Sequence, residues 1–455
     1  MGITFSKLNY GSLIVGIDTP VKLRNGKSVR GIDFDNAATT APFVKVIEEI
    51  GNFAPYYSSI HRGAGYKAKI SSAKYEEARK TVMDFVGGDS QKDVVIFVKN
   101  ATEAINKVAY RLSQEVDEYI NHGFKKNKAD EKLIILSTSM EHHSNDLPWR
   151  GKYEVEYVEV DECGRLLFDD YIEKLEKYKG LVKLVTVTGA SNVTGYVNPI
   201  HRIAEWAHKY GAKILVDGSQ LVPHMPFDMK PFSSSKHIDF LAFSAHKMYA
   251  PFGIGVLIGP KDFFSHGSPD YSGGGTVLAV THDQVVWNDP PSKDEAGTPN
   301  LMGVVALDAA IKTLNSIGMR NVDKHEKALC RQLIQGLRKI DSIEMYCTGD
   351  ESQERVGIVP FNMKAVPHEK LAEILAGEAG ISVRSGCFCA HPYVQRLMKV
   401  PPAKINKVVE NPNNPKPGMV RVSFGIYNEH EEIEKFIEVI KEISKDRWHF
   451  LKMYS

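Results

Sequence analysis

The stretch at residues 181–217, LVKLVTVTGASNVTGYVNPIHRIAEWAHKYGAKILVD, decides the fold class. It opens with the apolar, β-branched run Leu181–Thr188 and continues with an amphipathic helical pattern over Pro199–Tyr210. A second apolar run, Ile214–Val216, follows and ends at Asp217. A strand, a helix and a strand in this order predict a βαβ unit with parallel strands. Because the strands are apolar almost throughout, we expect helices on both faces of the sheet.

The same alternation extends outward from this stretch. Further strand-like runs are apolar and rich in β-branched residues: Asp93–Val98, Leu133–Leu136, Val155–Val160, Phe240–Phe243 and Gly253–Ile258. Helical spacing over Ala101–Leu112 separates the first two of them. These patterns predict an α/β fold in which a large domain, residues 30–300, contains a mostly parallel seven-stranded sheet between helices.

The pattern changes after residue 300. Two long amphipathic helices, two short strands and a final helix are predicted at Met302–Ile317, Val322–Ile340, Ile343–Cys347, Val356–Asn362 and Glu431–Ser444. We expect a smaller α+β domain formed by residues 1–29 and 301–455. Residues 401–418, PPAKINKVVENPNNPKPG, are rich in proline and asparagine and are predicted to form a surface insertion.

Composition and charge narrow the class of protein. The 455 residues are 43% hydrophobic and 25% charged with a net charge of +1, so we expect neither nucleic acid nor an anionic membrane as partner. Five cysteines are too few for a disulfide scaffold and are typical of a reducing compartment. No apolar run approaches the roughly 20 residues of a membrane helix, and the first residues do not resemble a secretion signal. We therefore expect a cytoplasmic protein.

Two polar stretches follow successive strands and together indicate a cofactor. Asp217-Gly218-Ser219-Gln220 follows the strand at Lys213–Val216, and Ser244-Ala245-His246-Lys247 follows the strand at Phe240–Phe243. In open α/β sheets, ligands bind at the carboxyl ends of the strands. A lysine there can form an imine with an aldehyde and a carboxylate can keep a pyridine nitrogen protonated, as pyridoxal 5′-phosphate (PLP) requires. Taken singly, Asp217 is equally well explained as a helix cap and Lys247 as a surface lysine.

Two further polar stretches also follow predicted strands. Lys99–Ala104 precedes a helix, where free N–H groups and the helix dipole bind phosphate and Thr102 adds a hydroxyl, although a simple threonine cap explains the same residues. Glu141–Asn145 carries His142 and His143. Adjacent histidines point apart and no third ligand stands at a suitable spacing, so we expect no metal and favour a histidine stacked on a flat cofactor ring.

These stretches belong to a longer ordered set. Its members are Asp35–Thr40 (DNAATT), Glu141–Asn145, Ser191–Gly195 (SNVTG), Asp217–Gln220, Ser244–Lys247 and Glu295–Asn300 (EAGTPN). In this order, over roughly residues 30–445, they resemble the class V aminotransferase family of fold-type-I PLP enzymes, and within it the cysteine desulfurases and selenocysteine lyases. The resemblance implies a PLP-dependent transferase fold and a homodimer with shared sites.

The resemblance also implies a role for each matching residue. Lys247 would carry the imine to PLP, Asp217 would pair with the pyridine nitrogen, and His142 would stack on the ring. The residues implied around the ring oxygen and the phosphate are Asn192, Gln220, Ala101, Thr102, Ser244 and His246, with Thr298 reaching the phosphate of the partner subunit. The residues implied around the substrate are Arg421 as the clamp for an α-carboxylate, Arg384, Asn36, Ala38, His61 and Arg62. Without the resemblance, Arg421 is also explained as a surface strand arginine.

The loop at residues 384–392, RSGCFCAHP, points to the reaction. Many desulfurases of this family carry Arg-x-Gly-His-His-Cys-Ala here, and Arg384, Gly386, Cys389 and Ala390 match it. Cys387 and Phe388 replace the two histidines, a Cys-Phe-Cys form that also resembles the loop of molybdenum-cofactor sulfurases. Cys389 thus stands at the nucleophile position, and Cys387 is a candidate second thiol. Buried structural cysteines and a metal-binding pair are the competing interpretations.

Taken together, the sequence predicts a PLP-dependent cysteine desulfurase that converts L-cysteine to L-alanine and takes the sulfur onto Cys389 as a persulfide. Lys247 would be the base that removes the α-proton, and a sulfur-acceptor protein would receive the sulfur. Three alternatives stay open. One is selenocysteine lyase, another is a class V aminotransferase, epimerase or β-lyase whose cysteine loop is not catalytic, and the third is a binding protein without activity.

Overall fold

The computed structural model describes residues 10–121, 133–347, 349 and 353–454, so the first nine residues of the predicted small domain lie outside it. The strands are β1 (Pro20–Lys22), β2 (Ser28–Arg30), β3 (Ile32–Asp33), β4 (Asp93–Val98), β5 (Ile134–Thr138), β6 (Glu154–Val158), β7 (Val182–Thr188), β8 (Lys213–Asp217), β9 (Phe240–Ser244), β10 (Gly255–Pro260), β11 (Val277–Val280), β12 (Val285–Trp287), β13 (Ile343–Met345), β14 (Ile358–Met363), β15 (Ile381–Ser382), β16 (Arg384–Gly386) and β17 (Met419–Ser423). The helices are α1 (Val44–Phe53), α2 (Tyr66–Phe85), α3 (Ala101–Asn121), α4 (Phe168–Lys177), α5 (Ile200–Lys209), α6 (Lys261–Ser265), α7 (Leu301–Ile317), α8 (Met319–Leu337), α9 (His368–Ala379), α10 (His391–Leu397), α11 (Pro402–Glu410), α12 (His430–Lys445) and α13 (Arg447–Met453).

The largest sheet has seven strands in the order β4-β10-β9-β8-β7-β5-β6. β10 runs antiparallel to both of its neighbours, and the other adjacent pairs are parallel. The predicted α/β fold with a mostly parallel seven-stranded sheet is therefore confirmed. The register of β7 and β8 places Thr188 beside Asp217, so the carboxyl ends of these strands lie together at one edge of the sheet.

Apolar side chains on both faces of this sheet are covered. In β8, Ile214 and Val216 belong to a core that includes residues of α1, α2, α5 and α7. Leu215, between them, points to the opposite face and joins a core that includes residues of α3 and Trp149. Successive residues of a strand point to opposite faces, so a continuously apolar strand requires cover on both sides.

A further core surrounds the antiparallel sheet β13-β14-β17-β16. α8, α9 and α12 supply side chains to it, and Ile32 and Phe34 join it from the N-terminal part of the chain. α7 instead packs with α1 and α2 in a core of the large sheet, although it follows residue 300. Helical periodicity reveals an apolar face but not the core that this face joins. The domain limits at residues 30 and 300 stay a prediction.

Residues 401–416 lie at the surface, whereas Pro417 and Gly418 are buried next to the cysteine loop. The surface segment contains α11, which has no buried residue and leaves Val409 76% exposed. The end of this segment contacts the cysteine loop, because Cys387 Sγ donates to the carbonyl oxygen of Pro417 at 2.9 Å.

Within the described ranges, no single helix is long and apolar enough to cross a membrane. α7 and α8 meet that condition only as a pair, and they are bent by 77° at the break between them.

Candidate active site

A cavity of about 260 Å³ lies at the carboxyl edge of the seven-stranded sheet. The predicted site residues that line it are Ala38, Ala101, Thr102, His142, Asn192, Asp217, Gln220, Ser244, His246, Lys247, Arg384, Cys389 and Arg421. Residues that the sequence did not assign to the site also line it: Ala37, Asn100, Ser144, Thr188, Ser219 and Phe388. The fold thus brings together motifs that are more than 300 residues apart, from Ala38 to Arg421.

Lys247 and Asp217 are placed by the ends of two adjacent strands. Asp217 is the last residue of β8, and Lys247 ends the short 3₁₀ helix that follows β9. Removal from water lowers the pKa of Lys247 to about 8, although the charge of Asp217 acts in the opposite direction. Backbone N–H of Ser219 donates to Asp217 Oδ1 at 3.0 Å. The site therefore holds an amine that is easily deprotonated within electrostatic range of a buried carboxylate.

The His142 ring is neutral and held in one tautomer. Backbone N–H of Ser144 donates to His142 Nδ1 at 3.1 Å, so the ring proton lies on Nε2. Burial, and next the charge of Lys247, lowers the pKa of His142 to about 4. An uncharged imidazole can stack on a flat aromatic ligand without the cost of burying a cation.

The N-terminus of α3 lies at one end of the cavity, where its groups would suit an anion. Ser244 Oγ accepts from the backbone N–H of Ala101 at 2.8 Å, and the hydroxyls of Thr102 and Ser144 are 2.6 Å apart. His246 lines the same cavity, and burial lowers its pKa to about 4. Hydroxyl donors at the positive end of a helix dipole are the groups that bind a phosphate.

Gln220 and Asn192 already have partners within the protein. Gln220 Nε2 donates to the carbonyl oxygen of Ala37 at 2.7 Å, while the buried Gln220 Oε1 has no partner in the part of the chain that the structure describes. Asn192 Nδ2 donates to the carbonyl oxygen of Phe388 at 2.7 Å. The amide of Asn192, which the sequence assigned to the ring oxygen of PLP, is therefore engaged by the cysteine loop. Sequence separation hides this contact because the partners are 196 positions apart.

Arg421, in the middle of β17, is a buried cation, and its protein partners use only part of its five N–H donors. Nη1 donates to the carbonyl oxygen of Asn192 at 2.8 Å, and Nη2 donates to Asp35 Oδ1 at 3.1 Å. Nε is buried and has no hydrogen-bond partner within the described ranges. Burial lowers the pKa of Arg421 to about 10, and Asp35 opposes that shift. Arg384 lies beside Arg421 in the neighbouring strand and pairs with the other oxygen of Asp35 at 3.6 Å.

The cysteine loop places one thiol in the cavity and the other outside it. Cys389 is exposed and close enough to raise the pKa of both Lys247 and Arg421. Backbone N–H of His143 donates to the carbonyl oxygen of Cys389 at 2.7 Å and fixes the loop. Cys387 does not line the cavity, and burial raises its pKa to about 11.

Four other predicted residues also lie outside the cavity lining. Asn36 is fully buried and bonds Asn428 and the hydroxyl of Tyr427, so its side chain is used for structure. His61 pairs with Glu76 at 3.0 Å, and Arg62 and Thr298 are exposed. A motif gives the position of a residue along the chain but not the direction of its side chain.

Among the residues that sequence reasoning missed, Ser144 had a usable signal. It stands in the same strand-end motif as His142, and a serine two positions after a histidine can fix the ring through its N–H and its hydroxyl. Phe388 had no such signal, since an apolar residue between two cysteines is most simply assigned to a core.

Comparison with known proteins shows which family the chain belongs to. The family model described as aminotransferase class-V matches residues 32–436. A cysteine desulfurase of Haloferax volcanii is 35% identical over 89% of this chain and 88% of its own, and a probable cysteine desulfurase of Pyrococcus abyssi is 36% identical over 91% and 94%. The apo structure of a cysteine desulfurase from Thermococcus onnurineus superposes with a TM-score of 0.78 at 33% identity, covering 91% of this chain and 95% of that one. The chain therefore belongs to the class V aminotransferase family.

Proposed function

We propose that this chain is a PLP-dependent cysteine desulfurase, which converts L-cysteine to L-alanine and takes the sulfur onto Cys389. One observation carries the proposal: a single cavity holds Lys247, Asp217, Arg421 and the exposed thiol of Cys389. Its relatives named cysteine desulfurase cover about nine tenths of the chain.

The donors and acceptors of the cavity fit PLP. The N-terminus of α3, with Thr102 and Ser144, suits the phosphate, and Asp217 suits a protonated pyridine nitrogen. The buried Oε1 of Gln220 is a polar atom that the protein itself does not satisfy. When bound, PLP supplies an aldehyde carbon that reacts with amino groups and a ring that accepts electrons from the substrate α-carbon.

The protein groups around that cofactor have separate tasks. Lys247 exists partly as the free amine near neutral pH, so it can bind the cofactor and later accept the α-proton. Arg421 holds the substrate α-carboxylate through the N–H groups that its bonds to Asn192 and Asp35 leave free. The arginine therefore fixes which end of the amino acid faces the thiol.

Cys389 completes the sulfur transfer. Its sulfur attacks the substrate sulfur, so that an S–S bond forms and the bond between sulfur and the β-carbon breaks. The electron pair of the broken bond stays with the substrate carbon, which takes up a proton and leaves as alanine. The sulfur remains on Cys389 as a persulfide until an acceptor removes it.

The experiment incubates the holoenzyme with L-cysteine, measures alanine, and determines the mass of the peptide that contains Cys387 and Cys389. We expect alanine, and a mass increase of one sulfur on Cys389. The C389S variant should lose both, while C387S should keep them, because a serine hydroxyl can still donate to Pro417. Pyruvate with ammonia, or a keto acid, in place of alanine would contradict the proposal and indicate a β-lyase or an aminotransferase.

The proposal includes a cytoplasmic homodimer in which Thr298 serves the partner subunit. Thr298 is exposed and does not line the cavity of its own chain. The β11–β12 hairpin exposes Leu278 at 73% and Val280 at 62%, an apolar face that a second copy would bury. Sedimentation of the protein and of a T298A variant tests the dimeric state. A monomer at the concentration used in the activity assay would contradict the proposed homodimer.

A further inference from the structure

Phe388 stands between the two groups that act on the substrate, Arg421 and Cys389. Its ring centroid is 4.8 Å from Cζ of Arg421, and the side chain is only 8% exposed. Its carbonyl oxygen accepts from Asn192 Nδ2 at 2.7 Å, and the carbonyl oxygen of Asn192 accepts from Arg421 Nη1 at 2.8 Å. Phe388, Asn192 and Arg421 therefore form a closed set of contacts, and the backbone leads from it directly to the thiol.

An aromatic face suits this buried cation because it leaves the N–H donors free. A ring over a guanidinium attracts the positive charge without accepting its in-plane hydrogen bonds. Nη1 and Nη2 of Arg421 donate one bond each, to Asn192 and Asp35, and Nε has no partner among the described residues. A protonated histidine at position 388 would repel the guanidinium.

The backbone of the loop depends on the same contacts. Phe388 and Cys389 both have left-handed conformations, with φ of 51° and 53°. Two successive residues with side chains in this region are unfavourable unless their surroundings hold them. They are held by the Asn192–Phe388 hydrogen bond, by the bond from His143 to the carbonyl oxygen of Cys389, and by the packing of the ring on Arg421.

We propose that Phe388 is a positioning residue that couples Arg421 to Cys389, so that a carboxylate bound at Arg421 sets the place of the sulfur. The inference rests on the proposed function, since it requires a substrate carboxylate at Arg421 and a reactive thiol at Cys389. It gives a function to Phe388, which stands where many desulfurases of this family have the second of two histidines.

The test compares F388L and F388Y with the control F263L in the holoenzyme. Leucine removes the aromatic face and tyrosine keeps it, whereas Phe263 faces Arg111 at 5.6 Å in a separate core outside the cavity lining. The readout is the rate at which iodoacetamide alkylates Cys389, measured by peptide mass without ligand, with L-alanine, and with ethylamine, which has no carboxylate. In wild type, F388Y and F263L, L-alanine should change that rate and ethylamine should not.

In F388L we expect the effect of L-alanine to disappear and the KM for L-cysteine to rise about tenfold, the equivalent of losing one cation–π contact. Retention of the L-alanine effect in F388L, or its absence in wild type, overturns the coupling. Should F388L not fold, F388M removes the aromatic face with a more adaptable side chain and carries the same test. Failure of wild type to form alanine from L-cysteine would overturn the proposed function instead.

Discussion

The titration of Lys247 in the cofactor-free protein tests the electrostatics of the whole site. Its pKa is lowered from 10.5 to about 8. At pH 7, about one tenth of the side chain is then free amine, compared with about 0.03% for an ordinary lysine. The cavity thus increases the reactive fraction about 300-fold at this pH.

Two substitutions should move the midpoint in opposite directions. The charge of Asp217 raises the pKa of Lys247, so D217N should lower the midpoint below that of wild type. The charge of Arg421 lowers the pKa of Lys247, so R421Q should raise the midpoint. A general loosening of the cavity would instead raise the midpoint in both variants, since the amine would regain water.

The assay is competitive labelling with trace acetic anhydride over a range of pH, followed by mass analysis of each lysine peptide. Lys45 is an internal control, because it is exposed and the carboxylate of Glu49 raises its pKa. Its midpoint should lie above 10.5 in wild type and in both variants. A Lys247 midpoint near that of Lys45, or shifts of the same sign in D217N and R421Q, would refute the reasoning.

Three further predictions address single groups of the site. E141Q should lower the free energy of unfolding, measured in urea, by about 1–3 kcal/mol. The two oxygens of Glu141 accept from the backbone N–H of Thr188 and from the amide of Asn145, so in either orientation the glutamine NH₂ would face a donor. An unchanged urea midpoint would contradict this prediction. R421K should raise the KM for L-cysteine by about tenfold or more with a smaller change in kcat, since a lysine offers no planar pair of donors, and an equal KM would contradict the clamp. S144A should weaken PLP binding about fivefold in a fluorescence titration, and unchanged affinity would remove Ser144 from the phosphate end.

Strand-end motifs explain how much of the structure could be predicted from the sequence. Local patterns predicted the seven-stranded sheet, and the ends of parallel strands must meet at one edge, so Asp217 and Lys247 were expected in one cavity. The strand boundaries were accurate to a few residues, and Asp217 proved to be the last residue of β8 rather than the residue after it. The family prediction is confirmed by the family model and by relatives above 30% identity.

Tertiary contacts explain why the side-chain directions of Asn36 and Asn192 could not be predicted from the sequence. The side chain of Asn36 turns away from the cavity because Tyr427 and Asn428 offer it buried hydrogen bonds. The amide of Asn192 is used by the cysteine loop, whose Phe388 packs in one core with Val193. Neither partner is near in sequence, so no local pattern records the competition between them and a ligand.

The two steps of the proposed reaction, proton removal and sulfur transfer, use side chains from two different sheets. Lys247 and Asp217 come from the edge of the seven-stranded sheet, whereas Arg421 lies in the smaller antiparallel sheet and Cys389 in the loop that follows its edge strand. Proton removal therefore depends on groups at the edge of the large sheet, and sulfur transfer on groups of the smaller sheet and its loop. Asn192 follows β7 of the large sheet and contacts both Arg421 and the cysteine loop, so it links the two sets of groups through hydrogen bonds. A desulfurase needs such a link, because the sulfur must be reached while the α-carbon is still activated, and a loop that moved independently would leave the activated substrate to other reactions.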